Sequence, residues 1–589
     1  MGLTCGSSSY KSSVGFVNRT RVEKGSHCRS MSRRMLVLSL LAILTPLVAP
    51  RVADCQTEST LDSMTQEQWQ ADLRHLAEQM PKVHINLFHA MTQDQFQTAV
   101  KSFDSRVLGL NTDETLVELS RLTAMVQDGH TGYIRPLLYW SKENYPLKLV
   151  WYPDGIFVQR AKAEHADIVG GRVVQIGNVS IESAYNSIKD IFPHDQGNDG
   201  RVRVAGVPLY LTQPRVLHGL HIADTAAEVR YIIEVNGLRK TVVLKPTVTA
   251  RDISDRSFVK PDSSWVDARD GVVSPTPEWL KHGDRQYWFD YLSDNKTLYV
   301  QFNQVLPQTN QSIAGFFGDV FDFLDHHDVE RFVLDIRNND GGDNGYLRPI
   351  IVGIIQAKKI NRRGKLFTII GPETFSAAQN LTNRLELYTE MTFVGEPTAE
   401  NVNFYGDDRR IMLPNSGLAI GMSQLWWQDE DPRDQRSSTA PEVAADMTFD
   451  DYRNNRDPAL EEILAGKAEP LEETLTRAAG EGFERAMAGF KNWASDPLHH
   501  YVANTAERRV NTLGYKLLEQ KSIPEAVTVL RVDAETHPDS WNAWDSLGEA
   551  YVAAGKVAEA IAAYERSLKL NPENRSGIDA LTLLRSKKP

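Results

Sequence analysis

The sequence predicts an α/β protein: a largely parallel sheet with helices between its strands, led by helices and a β-rich stretch and followed by a helical repeat. Three observations carry this. From Thr297 onward, short apolar strand patterns alternate with helical patterns of about ten residues, the signature of βαβ units. Upstream, "VRYIIEVNGLRKTVVL" alternates apolar and polar residues on both sides of Asn236-Gly237, a strong hairpin turn. Near the carboxyl end, "LGYKLLEQKSIPEAV" from Leu513 returns as "LGEAYVAAGKVAEAI" from Leu547, an offset of 34. With 589 residues the chain exceeds one core and divides into three or four domains. A formal charge of −12 argues against a nucleic-acid partner, which would call for a basic face.

Residues 1–55 read as a leader. Arg33 and Arg34 precede an apolar h-region over 35–49, the pattern of a signal peptide, and Pro46 makes a stable membrane span unsuitable. The polar, basic stretch before it points to Met31 or Met35 as the start of translation, and the mature chain is expected to begin between about Pro50 and Gln56. Cys5, Cys28 and Cys55 all fall in or beside this leader, so the folded part has no disulfide framework or thiol nucleophile. Asp54 is a poor neighbour for a lipidated Cys55. The expectation is an exported, soluble protein, periplasmic or extracellular, in preference to a lipoprotein.

Residues 57–140 read as a helical domain, with Trp69, Leu73 and Leu76, then Leu116, Leu119, Leu122 and Val126, at helical spacing. Residues 145–250 are β-rich, and 250–292 read as a polar connector. The α/β domain spans 293–465. In it, "TLYVQF", "RFVLDI", "KLFTII" and "MTFVG" read as strands. "SIAGFFGDVFDFL", "LRPIIVGIIQ" and "SAAQNLTNRLELY" read as helices, the first with Ile313, Phe316, Phe317, Val320 and Leu324 on one face. Residues 500–589 hold the repeat: Ala526 and Ala560, and Pro538 and Pro572, keep the same offset, which is the tetratricopeptide period. Two such repeats need flanking support, expected as helices around 480–498 and 576–586 or as the catalytic domain itself. They serve either as packing or as a docking site for a protein partner.

The reactive candidates sit at strand exits, where open α/β sheets place their sites. In "KLFTIIGPETFSAAQN", Ser376 stands where a helix opens. It is either a helix cap, a post Thr374 also suits, or a nucleophile near free helix N–H groups. "LDIRNNDGGDN" ends a strand in a glycine pair whose N–H groups suit an anion. "MVQDGHTGY" places His130 in a glycine-flanked loop. His84, His89, His326-His327 and His499-His500 lack zinc-ligand spacing and read as surface or packing residues. No phosphate loop or dinucleotide fingerprint follows a strand, so no cofactor or metal is expected.

Taken in order, "QDGHTGY", "RFVLDIRNNDGG", "TFSAAQN", "FVGEPT", "LPNSG" and "DPALEEIL" resemble the serine peptidase family of the tail-specific (C-terminal-processing) proteases and the tricorn core protease, over about residues 66–465. The resemblance implies a ClpP/crotonase-like α/β fold and a PDZ-like insertion, with "DIVGGRVVQIGNVSIESAYNSI" similar to a PDZ strand–helix passage. It implies Ser376 as nucleophile and an oxyanion hole from the N–H groups of Gly341 or Gly342 and Ala377. The tail-specific branch places a lysine base about 25 residues after the serine. Here that place is near Asn401, and no lysine lies between Lys365 and Lys467, so a Ser–Lys dyad is not expected. The tricorn-like branch takes a histidine from an upstream loop, which His130 matches. Its usual serine before the histidine is Gly129 here, and a "PD" near the domain end is Pro441-Glu442. Asp128, Glu400 and Asp434 stand as alternatives for the carboxylate that orients His130.

These readings converge on an exported peptidase that hydrolyses unfolded or short peptides through Ser376 and His130. The resemblance also covers the interphotoreceptor retinoid-binding proteins, which supply the alternative of a non-catalytic ligand- or peptide-binding protein on the same fold. A further alternative is an esterase-like hydrolase using the same pair.

Overall fold

The computed structural model describes residues 61–132, 143–249, 252, 253, 258, 260–466 and 469–586. The leader readings at Arg33, Arg34, 35–49, Cys5, Cys28 and Cys55 lie outside the described residues.

The central sheet runs in the spatial order Val443–Ala444, Thr392–Gly395, Leu366–Ile370, Arg331–Asp335, Thr297–Phe302, Tyr287–Leu292. Its first five strands pair in parallel, and the last is antiparallel to its neighbour. Every residue of Thr297–Phe302, Leu366–Ile370 and Thr392–Gly395 is buried, which is why apolar residues fall on both faces of these strands and the few polar ones, such as Gln301 and Thr368, are buried too. Helices cover both faces. Ile313–His326 buries Ile313, Phe316, Phe317, Val320 and Leu324, the expected face, and Ser312 caps it by accepting the Gly315 N–H. With Arg348–Gln356 and Ala377–Tyr388 it closes one core. Ala459, Leu460 and Ile463 of Pro458–Ala465 close the other face over Val333 and Ile369.

Residues 250–292 are more than a connector. Trp265–Asp267 pairs with Gly155–Lys162, and Tyr287–Leu292 forms the edge strand of the central sheet. Trp265–Asp267 escaped notice because it has only three residues, and Tyr287–Leu292 because it closes an otherwise polar stretch. The β-rich stretch forms an antiparallel sheet in the order Leu147–Tyr152, Gly155–Lys162, Arg172–Ile176, Val229–Val235, Leu238–Leu244. Its last two strands close through Asn236 (φ 51°) and Gly237 (φ 77°), left-handed at both central positions as a type I′ turn demands.

The amino-terminal helices are Gln66–Val83, Gln93–Arg106 and Thr112–Ala124. Each opens on a capping box, at Thr65/Gln68, Thr92/Gln95 and Asn111/Glu114. They do not stand apart from the β-rich sheet: Leu73, Leu116, Val158, Ile176 and Leu217 belong to one buried cluster. Ile411 and Ile420 join it from a long hairpin, Asn403–Met412 with Ala419–Gln428, which the charges in "DDRR" hid from sequence patterning. The 57–140 and 145–250 segments therefore share a core. No helix among the described residues is long and apolar enough to cross a membrane.

At the carboxyl end, helices Ala506–Glu519, Ile523–Thr536, Trp541–Ala553 and Val557–Leu570 form the repeat, flanked by Phe483–Ser495 and Arg575–Ser586 as expected. Gly514 and Gly548 occupy the helix crossings: a Cβ there would lie 2.4 Å from Leu530 and 2.8 Å from Tyr564. Arg509 anchors this segment, donating to Glu442 at 2.7 Å and Glu472 at 2.6 Å, while Glu442 also holds Arg363 and its carbonyl faces the His499 ring at 2.8 Å. Glu442 is the residue that departs from "PD", and its extra methylene reaches both arginines. Arg509→Ala is expected to cost about 2 kcal/mol: Glu472 loses its cation and Glu442, half-buried, keeps only Arg363. Chemical denaturation followed by circular dichroism reads this, and a loss below 1 kcal/mol would mean that the anchor is dispensable.

Candidate active site

The strand Leu366–Ile370 exits at Gly371-Pro372, and five residues later Ser376 begins the helix Ala377–Tyr388. Ser376 has φ 57° and ψ −124°, a conformation that side-chain-bearing residues avoid and that persists only where its surroundings impose it. Its side chain makes no capping hydrogen bond. Thr374 does not cap either: its hydroxyl donates to the Ile336 carbonyl at 3.0 Å and accepts the Gly371 N–H at 3.1 Å, tying the turn to the neighbouring strand. The cap explanation of Ser376 is thereby removed, and what remains is a hydroxyl pushed outward on a strained strand-to-helix turn.

His130 supplies its partner. His130 Nε2 lies 2.9 Å from Ser376 Oγ, although 246 positions separate the residues. The ring is sandwiched, with Phe375 at 4.6 Å and Phe404 at 5.8 Å between centroids, both nearly parallel to it. On its far side Nδ1 lies 3.1 Å from Glu400 Oε1. That is an ion-pair distance, but the two atoms are not aligned into a well-formed hydrogen bond. The other Glu400 oxygen accepts the backbone N–H of Ser376, so one buried carboxylate touches both members of the pair.

Of the three candidate carboxylates, only Glu400 reaches the ring. Asp128 accepts the backbone N–H of His130 at 2.9 Å and the Thr131 hydroxyl at 2.7 Å, and pairs with His84 Nε2 at 3.0 Å. It shapes the loop and makes no hydrogen bond to the ring, although its charge adds to that of Glu400 in favouring the imidazolium. His84, read from sequence as surface or packing, is the buried partner that Asp128 needs. Asp434 grips Arg436 at 2.9 Å, which in turn holds Glu386 at 3.0 Å, so the ring-orienting role proposed for Asp434 falls away. Asn401 sits beside Glu400 and donates its backbone N–H to Asp195 at 2.9 Å.

Electrostatics follow from burial. Burial opposes a charge on His130, but the Glu400 carboxylate outweighs it and pushes the imidazole up to about 9. Glu400 itself is held above the ordinary carboxylate range by burial, with His130 pulling the other way. Asp128 stays below that range because His84 and His130 overcome its burial. Asp195 is pushed up to about 7 by burial first and then by Glu400 and Asp128, against two backbone N–H groups.

The glycine pair lies directly on the serine turn. A Cβ on Gly341 would meet Ser376 Cβ at 2.6 Å and Ala377 N at 2.9 Å, and Gly341 and Gly342 have φ of 103° and 140°. Only glycine fits here. The N–H of Gly341 is already committed to Asn339 Oδ1 at 2.9 Å, which removes it as an oxyanion donor. The N–H groups of Gly342 and Ala377 donate no hydrogen bond among the described residues. The Asn339 side chain also donates to the Phe302 carbonyl at 2.7 Å, and its backbone carbonyl accepts the Phe375 N–H at 3.0 Å. Through side chain and backbone together, this buried residue links the two strand-exit loops, a role that sequence reading did not assign within "RNNDGG". Arg337 of the same loop pairs bidentately with Asp457 at 3.0 Å, which is why "RNNDGG" and "DPALEEIL" belong together.

A cavity of about 770 Å³ opens beyond the carboxyl ends of the strands, lined in part by Trp151, Asn338, Pro372, Glu396 and Tyr501. Ser376 and His130 do not line it, but Pro372 and Glu373 of the turn before Ser376 do, as does Arg201.

Fold and site together define a class: an α/β protein with a serine–histidine–glutamate constellation on a strand-to-helix turn. Residues 541–574 match the tetratricopeptide repeat. Among solved structures the chain is similar to mature CPAF, at 12% identity and a TM-score of 0.46 over 69% of this chain and 99% of that one. It is also similar to the photosystem II D1 C-terminal processing protease, at 12% identity and a TM-score of 0.33 over 69% and 99% of the two chains. A third is a candidate S41 protease from Bacteroides fragilis, at 15% identity and a TM-score of 0.26 over 56% and 83%. In sequence, no curated protein matches the chain.

Proposed function

We propose that this protein is a serine-type peptidase that hydrolyses unfolded or short peptides with Ser376 as nucleophile, His130 as general base and acid, and Glu400 as the carboxylate that orients the imidazole. The observation that carries this reading is the 2.9 Å approach of His130 Nε2 to the hydroxyl of a serine that caps nothing. A hydroxyl is a weak nucleophile until a base takes its proton. As Ser376 Oγ bonds to the scissile carbonyl carbon, His130 Nε2 accepts the hydroxyl proton and becomes imidazolium, with Glu400 beside Nδ1 stabilising the charge. The carbonyl oxygen becomes an oxyanion facing the N–H groups of Gly342 and Ala377, the latter at the positive end of a helix. His130 then gives the proton to the departing amine nitrogen, the C–N bond breaks, and an acyl-serine remains. Water enters, loses a proton to His130 and attacks the acyl carbon. The serine leaves with that proton restored.

The β-rich module, as a PDZ-like insertion, would take an extended chain end by strand addition. The repeats would engage a protein partner. The leader would carry the chain out of the cytoplasm.

Incubation of the purified protein with a fluorophosphonate probe, followed by peptide mapping, tests the reading. Ser376 is expected to carry the label. A folded protein that takes none, while retaining an apolar ligand or peptide, would instead be a binding protein on this fold.

A further inference from the structure

The loops bearing His130 and Glu400 come from distant parts of the chain, and one buried side chain touches both. Asp195 follows the helix Ile181–Lys189 of the β-rich module and is 4% exposed. Its Oδ1 accepts the N–H of Gly129 at 2.8 Å, and its Oδ2 accepts the N–H of Asn401 at 2.9 Å. Gly129 immediately precedes His130, and Asn401 immediately follows Glu400. The same segment reinforces the arrangement six residues on. Arg201 Nη1 donates to the Gly129 carbonyl at 3.1 Å, and its guanidinium lies 4.0 Å from the centre of the Phe375 ring that stacks on His130.

We propose that Asp195 is a positioning residue that holds base and orienting carboxylate in register through these two backbone hydrogen bonds, a role that rests on the serine-hydrolase reading above. The chemistry of the clamp asks for a carboxylate. Two N–H groups converge on one side chain, and only an ionised acid, the form Asp195 holds at the alkaline pH where His130 is neutral, presents two oxygens with no donor of its own. An amide of the same shape must turn its NH2 toward one of the two N–H groups, which leaves that donor unpaired and pushes one loop away. Space is tight: a Cβ on Gly129 would lie 2.9 Å from Phe375 and 3.3 Å from Asp195, so a displaced loop has nowhere neutral to settle. Catalytic geometry tolerates little of this, since a misplacement of about 1 Å can cost on the order of 100-fold in rate.

The test compares full-length wild type with Asp195→Asn. Measured quantities are kcat and KM on a short peptide, the rate of fluorophosphonate labelling, the thermal midpoint, and peptide affinity in a Ser376→Ala background. Expected are a loss of roughly 10- to 100-fold in kcat and in labelling rate, with peptide affinity unchanged and a single cooperative unfolding transition. A purely structural residue would lower the midpoint and leave turnover per folded molecule alone, and that outcome overturns the proposal. Should Asp195→Asn fail to fold, Arg201→Gln is read in the same way. It is expected to show a smaller loss of kcat with affinity unchanged, and wild-type kcat would count against the clamp. A wild type that labels normally while the folded variants match it sinks this proposal alone. A wild type that neither labels nor turns over sinks the hydrolase reading with it.

Discussion

Ser376→Ala, His130→Ala and the double variant are expected to share one low residual rate, on the order of 10⁶ below wild type, because groups that act as a unit fail together. The physical basis is the 2.9 Å contact: without the imidazole the hydroxyl keeps its proton, and without the hydroxyl the imidazole has nothing to deprotonate. Hydrolysis of a short chromogenic peptide by the three purified variants checks this, with circular dichroism confirming the fold. The fold is expected to survive Ser376→Ala with little change, since the hydroxyl caps no helix and the backbone strain at φ 57° belongs to the turn. His130→Ala empties a slot between Phe375 and Phe404, so a modest drop in stability is expected there. Additive losses, or a His130→Ala variant that keeps most of its activity, would mean that another base serves Ser376.

Glu400→Gln is expected to lower kcat by on the order of 10³- to 10⁴-fold with the protein folded, the scale on which loss of an orienting carboxylate misplaces the histidine tautomer. It also carries a sign in pH. In the proposed mechanism the active form of His130 is neutral, and in the wild type Glu400 outweighs burial and raises its pKa to about 9. The wild-type kcat/KM is therefore expected to rise with pH through the neutral range and level off only above about 9. The amide removes the larger of the two charges that raise the pKa, and burial and Arg201, which lower it, are then opposed by Asp128 alone. The midpoint of Glu400→Gln should accordingly fall by more than one pH unit, toward 6.5 or beneath it. The stability linkage has the opposite sense. A histidine whose folded pKa lies above its unfolded value contributes stability fully present below about pH 6.5 and lost as pH rises through about 9. Wild type should thus lose more stability than Glu400→Gln between pH 6 and pH 10, as denaturant titrations at the two pH values would show. Superimposable pH–rate profiles for the two proteins would remove Glu400 from the mechanism.

The sequence alone was enough for whatever depends on neighbours along the chain. The face from Ile313 to Leu324, the alternation around Asn236-Gly237 and the 34-residue repeat express local periods of 3.6, of 2 and of a whole helical hairpin, while "TLYVQF", "RFVLDI", "KLFTII" and "MTFVG" are short, mainly apolar segments between turns, and packing enforces all of these directly. Ser376 and His130 were legible as candidates for a different reason: each stands in a turn rich in glycine or proline, where a reactive side chain is held clear of regular structure. Tertiary structure alone decided between partners. Asp128, Glu400 and Asp434 are three acidic residues of equal chemistry, and only the placement of the Glu400 loop against the Ser376 turn puts one of them 3.1 Å from the imidazole. The same holds for Asn339, which takes the Gly341 N–H, for Asp195, which reads as one more polar residue in "PHDQGNDG", and for Trp265–Asp267, whose strand exists because Gly155–Lys162 had an open neighbour. Hydrogen-bond partners and buried charges are fixed by distances of a few ångströms between segments up to hundreds of residues apart, and no local pattern in the chain encodes those distances.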